Sequence, residues 1–96
     1  MNLGAAAAQL RNGERATFRT SGNSMKPRVM NGETVTVVPF EPGALPRVGQ
    51  VVLAKVRGRW YLHLVSGTRP GQVQISNNHG HVNGWTSVEN VVGVLK

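Results

Sequence analysis

An all-β domain, a barrel or sandwich of short strands led by a short helical or frayed segment, is the fold class this sequence predicts. Three observations point to it. Val is abundant and often alternates with polar residues, as half-buried strands require. Twelve Gly and five Pro break the 96-residue chain at short intervals. Turn signals recur between apolar runs too short for helices. The length fits one domain with a small core.

Taken in order, Leu3–Arg11 (LGAAAAQLR) has the composition of two helical turns, which Asn12-Gly13 would end. So short an Ala-rich helix is marginal alone, so it is either docked or frayed. We therefore divide the chain into an N-terminal segment, 1–13, and a β domain, 14–96. Arg15–Arg19 reads as a strand entering SGNSM, followed by turns at Lys26-Pro27 and Asn31-Gly32. Glu33–Phe40 alternates as a strand with Pro39 at its margin, and EPGALPRVG is a loop. Val51–Val56 and Trp60–Val65 form a hairpin about Arg57-Gly58-Arg59. Gln72–Ser76 is a further strand, NNHGHVNG a polar loop, and Ser87–Leu95 the closing strand.

Composition narrows the chemistry. Without Cys, thiolate catalysis, disulfides and Cys-ligated zinc are excluded. No stretch reaches the roughly 20 apolar residues of a membrane span, and the N-terminus lacks the charge and apolar length of a secretory signal. A cytoplasmic protein without a membrane anchor is the default expectation. Eleven Lys/Arg against four Glu, with no Asp, give a formal charge of +7. The basic residues run from Arg11 to Lys96 without a basic helix or run, so a solvated surface is the reading preferred over nucleic-acid binding. His79 and His81 lie one residue apart in a polar loop with no carboxylate nearby; no metal and no cofactor is expected. Trp60, Trp85, Phe18 and Phe40 read as core or rim anchors.

The segment Ser21-Gly22-Asn23-Ser24-Met25-Lys26-Pro27 carries the candidate chemistry. A nucleophilic Ser needs an exposed Oγ, a base within reach, and backbone N–H groups arranged to hold an oxyanion. Gly22 permits a sharp turn and close approach of a substrate backbone, and Pro27 fixes the exit. Taken alone, such a cluster is also what an ordinary loop looks like.

The order of blocks along the chain adds to this. SGNSMKP, NGETVTV, VGQVVLAKV, WYLHLV, VQISNN and VENVVGVL together resemble the peptidase domain shared by LexA-type repressors and signal peptidases, over about four fifths of the chain from Thr20 onward. Gly22, Ser24, Met25 and Pro27 match that family's Gly-x-Ser-Met-x-Pro segment. Glu33 and Gln50 stand where the family usually has Asp. The resemblance implies a coiled β fold with Ser24 as nucleophile, and it places His63 where many members have a Lys base. A branch similar to endoplasmic-reticulum and archaeal signal peptidases uses His there, usually followed by Arg, where this chain has Leu64. An unperturbed imidazole titrates near pH 6.5 and serves as a base at neutral pH. Lys55, on the outgoing strand of the hairpin, is the alternative base.

An Asp-completed triad is impossible here, and Glu33 and Glu89 read as structural. The expectation is an unassisted Ser24–His63 dyad, or one oriented by a backbone carbonyl, Ser66 or Asn78. The Ser24 N–H, with Ser21 or Gly22, would form the oxyanion hole. The implied reaction is cleavage of an extended peptide or protein with small residues at the cut, the peptide being added alongside a strand. Residues 4–9 (GAAAAQ) have the composition of a self-cleavage segment. With neither helix-turn-helix nor membrane anchor in the sequence, a free-standing domain is expected. Two other readings stay open: the same fold without catalysis, kept for peptide binding or dimerisation, and a small basic β domain that binds nucleic acid.

Overall fold

The N-terminal helix α1, Leu3–Arg11, begins where the Asn2 side chain accepts the Ala5 N–H at 2.7 Å. Such a cap satisfies one of the donors that the first turn leaves unpaired. Asn12 closes the other end, its N–H reaching the Ala8 and Gln9 carbonyls. Nine residues do not hold a helix in water. Ala6, Ala7 and Leu10 are buried on the sheet, and that burial holds this one. The computed structural model describes residues 2–41 and 43–96.

Seven strands follow: β1 (Ala16–Arg19), β2 (Thr34–Pro39), β3 (Val51–Val56), β4 (Arg59–Arg69), β5 (Gln72–Ser76), β6 (Val82–Ser87) and β7 (Val91–Leu95). They form one antiparallel sheet in the order β1-β2-β7-β3-β4-β5-β6. The all-β expectation holds, and the β3–β4 hairpin turns where it was predicted. Arg57 and Gly58 both have positive φ (50° and 80°), as a two-residue turn matched to strand twist requires.

Two expectations are corrected. The stretch 77–84 is not loop throughout, because Val82–Ser87 pairs with β5. Nor is 87–95 one strand: a 3-10 turn at Val88–Asn90 separates β6 from β7. The Asn83-Gly84 pair, a turn signal in isolation, lies inside β6 at a bulge. Ile75 pairs with Gly84 and Ser76 with Val82, leaving Asn83 as the extra residue. Gly84 takes φ 139°, a conformation that suits Gly at such a bulge.

The sheet buries both faces. One carries Phe18, Val35, Val37, Leu53 and Leu62 beneath α1 and the segment containing Met25 and Val29. The other carries Val52, Ala54, Val56, Val65, Val73 and Ile75. The second face closes on itself because the sheet coils. Ser66 on β4 and Asn83 on β6 are both single-residue bulges, which increase local twist. The coil returns β6 to β3, where Thr86 Oγ1 donates to the Lys55 carbonyl at 2.7 Å. Among the described residues two edges beside the Ser24 segment have no neighbouring strand: the outer side of β1, and the side of β4 before Leu64, where pairing with β5 begins. Among the described residues no helix is long and apolar enough to cross a membrane.

Residues 4–9 lie within α1, with Ala6 and Ala7 buried. The expected self-cleavage segment is therefore helical, and cutting it would first require the helix to unwind.

Gly93 on β7 is closely covered by both β2 and α1. A Cβ there would stand 2.8 Å from both Val37 Cγ1 and the Val38 carbonyl oxygen, and 3.1 Å from Leu10 Cδ1. One of those atoms is backbone, so the clash cannot be relieved by a rotamer change. Gly93→Ala should destabilise the fold by about 1–3 kcal/mol, lowering Tm by roughly 4–8 °C per kcal/mol. Thermal melting followed by circular dichroism measures this, and an unchanged Tm would refute the packing described.

Candidate active site

β1 delivers the chain to the site at Arg19, and the following segment is held from two sides. Below it, Met25 and Val29 are buried against the sheet, and the Val29 N–H bonds the Met25 carbonyl at 2.9 Å. Thr20 Oγ1 donates to the Met30 carbonyl at 2.8 Å, and the Gly22 N–H to Asn31 Oδ1 at 3.0 Å. Above it, the 77–81 loop donates three hydrogen bonds to its carbonyls. The Asn78 N–H reaches Ser24 O, Asn78 Nδ2 reaches Lys26 O, and His79 Nε2 reaches Asn23 O, each at 2.9 Å. Asn77 shapes that loop by accepting the His79 and His81 N–H groups at 2.8 and 2.9 Å. Ser24 thus sits in an irregular segment whose carbonyls are fixed at three neighbouring residues.

Its hydroxyl meets the expected partner. Ser24 Oγ lies 3.0 Å from His63 Nε2, a nucleophile–base distance within hydrogen-bond reach. His63 alternates with Leu62 and Leu64 along β4 and shares its face with Tyr61, whose ring centroid is 5.0 Å away. Only 9 % of His63 is exposed.

The second imidazole nitrogen has a partner that the sequence did not suggest. His63 Nδ1 is 2.7 Å from Asn83 Oδ1. An amide oxygen only accepts, so Nδ1 carries the proton and Nε2 turns its lone pair to the Ser24 hydroxyl. Asn83 reaches this position because it is the bulged residue of β6, and a bulge re-aims a side chain away from regular alternation. Reading 77–84 as loop concealed it. The one available signal was the strand-like spacing of Val82, Trp85 and Thr86 around a glycine.

The other proposed groups fall elsewhere. Ser66 Oγ bonds Gln74 and Ser76 on β5, not His63. Asn78 supports the carbonyls of Ser24 and Lys26 and leaves His63 to Asn83. Lys55 alternates onto the opposite face of the hairpin from His63, its ammonium 5.7 Å from the Trp60 ring centroid. The Gly22 N–H is already given to Asn31, which removes it from a ready oxyanion hole. No hydrogen bond among the described residues uses the Ser24 N–H, and Ser21 lines the cleft beside it. Among the described residues no three His, Cys, Asp or Glu side chains converge to hold a metal ion.

The dyad opens into a cleft of about 330 Å³ between the two unpaired edges. Arg19–Gly22 form one wall and Trp60–His63 the other, over a floor of Phe18, Met25 and Val29. Neither the scan against protein-family models nor the search of curated proteins returns a match to this chain.

Burial pushes the His63 imidazole below its ordinary value near 6.5; the hydrogen bond it donates to Asn83 opposes this, and nearby His81 adds to the lowering. The folded protein therefore binds this proton less tightly than the unfolded chain does. The stability that neutral His63 contributes is complete above about pH 6.5 and lost as pH falls through the lowered value. NMR titration of the His63 ring should give a midpoint below 6.5. In Asn83→Asp a carboxylate against Nδ1 should raise that midpoint by at least about one pH unit. An unmoved midpoint would show that residue 83 does not face the ring.

Proposed function

We propose that this protein is a serine peptidase of the LexA/signal peptidase type, acting through Ser24, His63 and Asn83. The observation that carries the reading is the continuous hydrogen-bonded line from Ser24 Oγ through His63 to Asn83 Oδ1. A serine hydroxyl held at 3.0 Å from an imidazole nitrogen of fixed tautomer is the arrangement that nucleophilic catalysis needs. The resemblance of the sequence blocks to that family supports the same assignment.

In this mechanism His63 Nε2 takes the Ser24 proton as Oγ attacks the substrate carbonyl. The oxyanion is met by the Ser24 N–H, with the Ser21 hydroxyl beside it. The imidazolium, its Nδ1–H held by Asn83, then donates its proton to the departing amine, and the peptide C–N bond breaks. Water, deprotonated by the same nitrogen, hydrolyses the acyl-enzyme and restores Ser24. Asn83 orients the ring and offers a dipole, but no full negative charge, to the cation that forms.

The two free edges beside the cleft suit an extended peptide. It would lie between β1 and the start of β4 and bond through main-chain groups to either side.

The test is covalent labelling of Ser24 by a fluorophosphonate, together with cleavage of a peptide library. Ser24→Ala should abolish both, and His63→Ala should lower kcat/KM by roughly 10²–10⁴-fold. Since His63 acts as the neutral base, kcat/KM should fall as pH drops through its lowered value, placing the acid limb below pH 6.5. An unlabelled Ser24 with no cleavage would remove the enzyme reading and favour a peptide-binding fold.

A further inference from the structure

Arg19 is the one Lys, Arg or Glu side chain among the residues that line the cleft. Arg19 lines one wall, its Nε bonded to the Gly32 carbonyl at 3.3 Å. On the other wall stands Trp60, and two more cations approach its ring: the Arg11 guanidinium at 5.8 Å and the Lys55 ammonium at 5.7 Å from the centroid. Gathering two like charges at one aromatic ring is unfavourable unless the ring quadrupole and solvent offset their repulsion. None of the four Glu lines the cleft, and there is no Asp. Glu33 accepts the Met30 N–H, and Glu89 lies in the 3-10 turn before β7. The side-chain hydrogen bonds of Arg19 and Arg28 go to backbone carbonyls, which leaves their charge uncompensated.

A cleft with an apolar floor, an arginine on one wall and no lining carboxylate is suited to select by charge as well as shape. Resting on the peptidase reading, we infer that the substrate is an acidic extended peptide. Its carboxylate on the β1 side of the scissile bond faces Arg19, while Arg11 and Lys55, which do not line the cleft, add positive charge at the Trp60 ring. Such complementarity raises the encounter rate and rejects basic peptides, whose cations would meet Arg19 and no carboxylate in the cleft lining.

Binding tests this without catalysis. Fluorescent ten-residue peptides of one apolar pattern, with acidic, neutral or basic flanks, are titrated into the Ser24→Ala protein at low and high salt. The acidic peptide should bind at least roughly tenfold more tightly than the basic one, and the difference should shrink as salt screens it. Arg19→Gln should weaken acidic-peptide binding by about three- to fivefold, as expected for one solvated ion pair. It should weaken the neutral peptide by less than the acidic one, and Arg19→Lys should restore acidic-peptide binding. Circular dichroism confirms that each variant is folded.

Equal binding of all three peptides, or binding of none, overturns the inference. So does tighter binding of a single-stranded oligonucleotide or of anionic vesicles, insensitive to Arg19→Gln, which would mark a general polyanion surface. Ser24 labelling in the wild-type protein reports the peptidase reading separately. A labelled serine with no acidic preference overturns only the substrate class.

Discussion

The site depends on the sheet not being flat. His63 projects from β4, but Ser24 and Asn83 come from segments some 40 residues before it and 20 after it. In a flat antiparallel sheet of this order, β6 would lie two strands from β4 and no residue on it would reach the His63 ring. Two single-residue bulges change this. The one at Ser66 lets β5 turn away from β4 beyond Leu64, and the one at Asn83 turns the β6 side chain inward. The same divergence leaves the start of β4 unpaired and makes room for the cleft. Coiling thus supplies both the orienter of the base and the open edge beside the nucleophile.

An asparagine in the third position gives the relay a particular electrostatic character. A carboxylate there would stabilise the imidazolium by charge, whereas Asn83 contributes only a dipole against the cost of burying a cation. Burial wins, and the ring is held below its ordinary value. Such a base is less protonated near neutral pH than an ordinary imidazole, but it is also weaker and gains less from accepting the serine proton. Its usefulness then rests on geometry: the fixed tautomer and the 3.0 Å approach of Ser24 Oγ. That geometry is maintained from outside by the 77–81 loop, whose three bonds fix the carbonyls around the serine. Asn78 therefore contributes to the site through backbone placement, not through the imidazole.

Elements governed by local sequence were legible, and those governed by the coil were not. The helix and its Asn12 end, the Val51–Val56 strand and the turn at Arg57-Gly58 follow from composition, alternation and turn chemistry within a few residues. Ser24 and His63 were found as a pair because block order, not spacing alone, placed them together. Asn83 was missed because Asn-Gly inside a polar run signals a turn, and only pairing with β5 converts it to a bulged strand. For Ser66 the error ran the other way: a hydroxyl three residues beyond the base looked available, but the bulge places it on Gln74 and Ser76. Lys55 was misjudged for want of one alternation step, since the pairing of Val52 with His63 sets Lys55 on the opposite face.

The absence of Asp and the scarcity of Glu act at two levels of this structure. Within the relay they leave the imidazole a neutral partner, so the base draws no charge stabilisation from the chain. In the cleft lining they leave Arg19 with no carboxylate beside it, and Arg11 and Lys55 approach the Trp60 ring outside that lining. The two consequences bear on different steps. On the proposed peptidase reading, a neutral partner would affect the reaction after the peptide is bound, because it would act on the proton moving between Ser24 and His63. On the same reading the Arg19 charge would act before it, on approach and register, and its field decays within about 8–10 Å at ordinary ionic strength. The buried dyad and the solvated rim therefore separate experimentally: pH moves the first and salt the second.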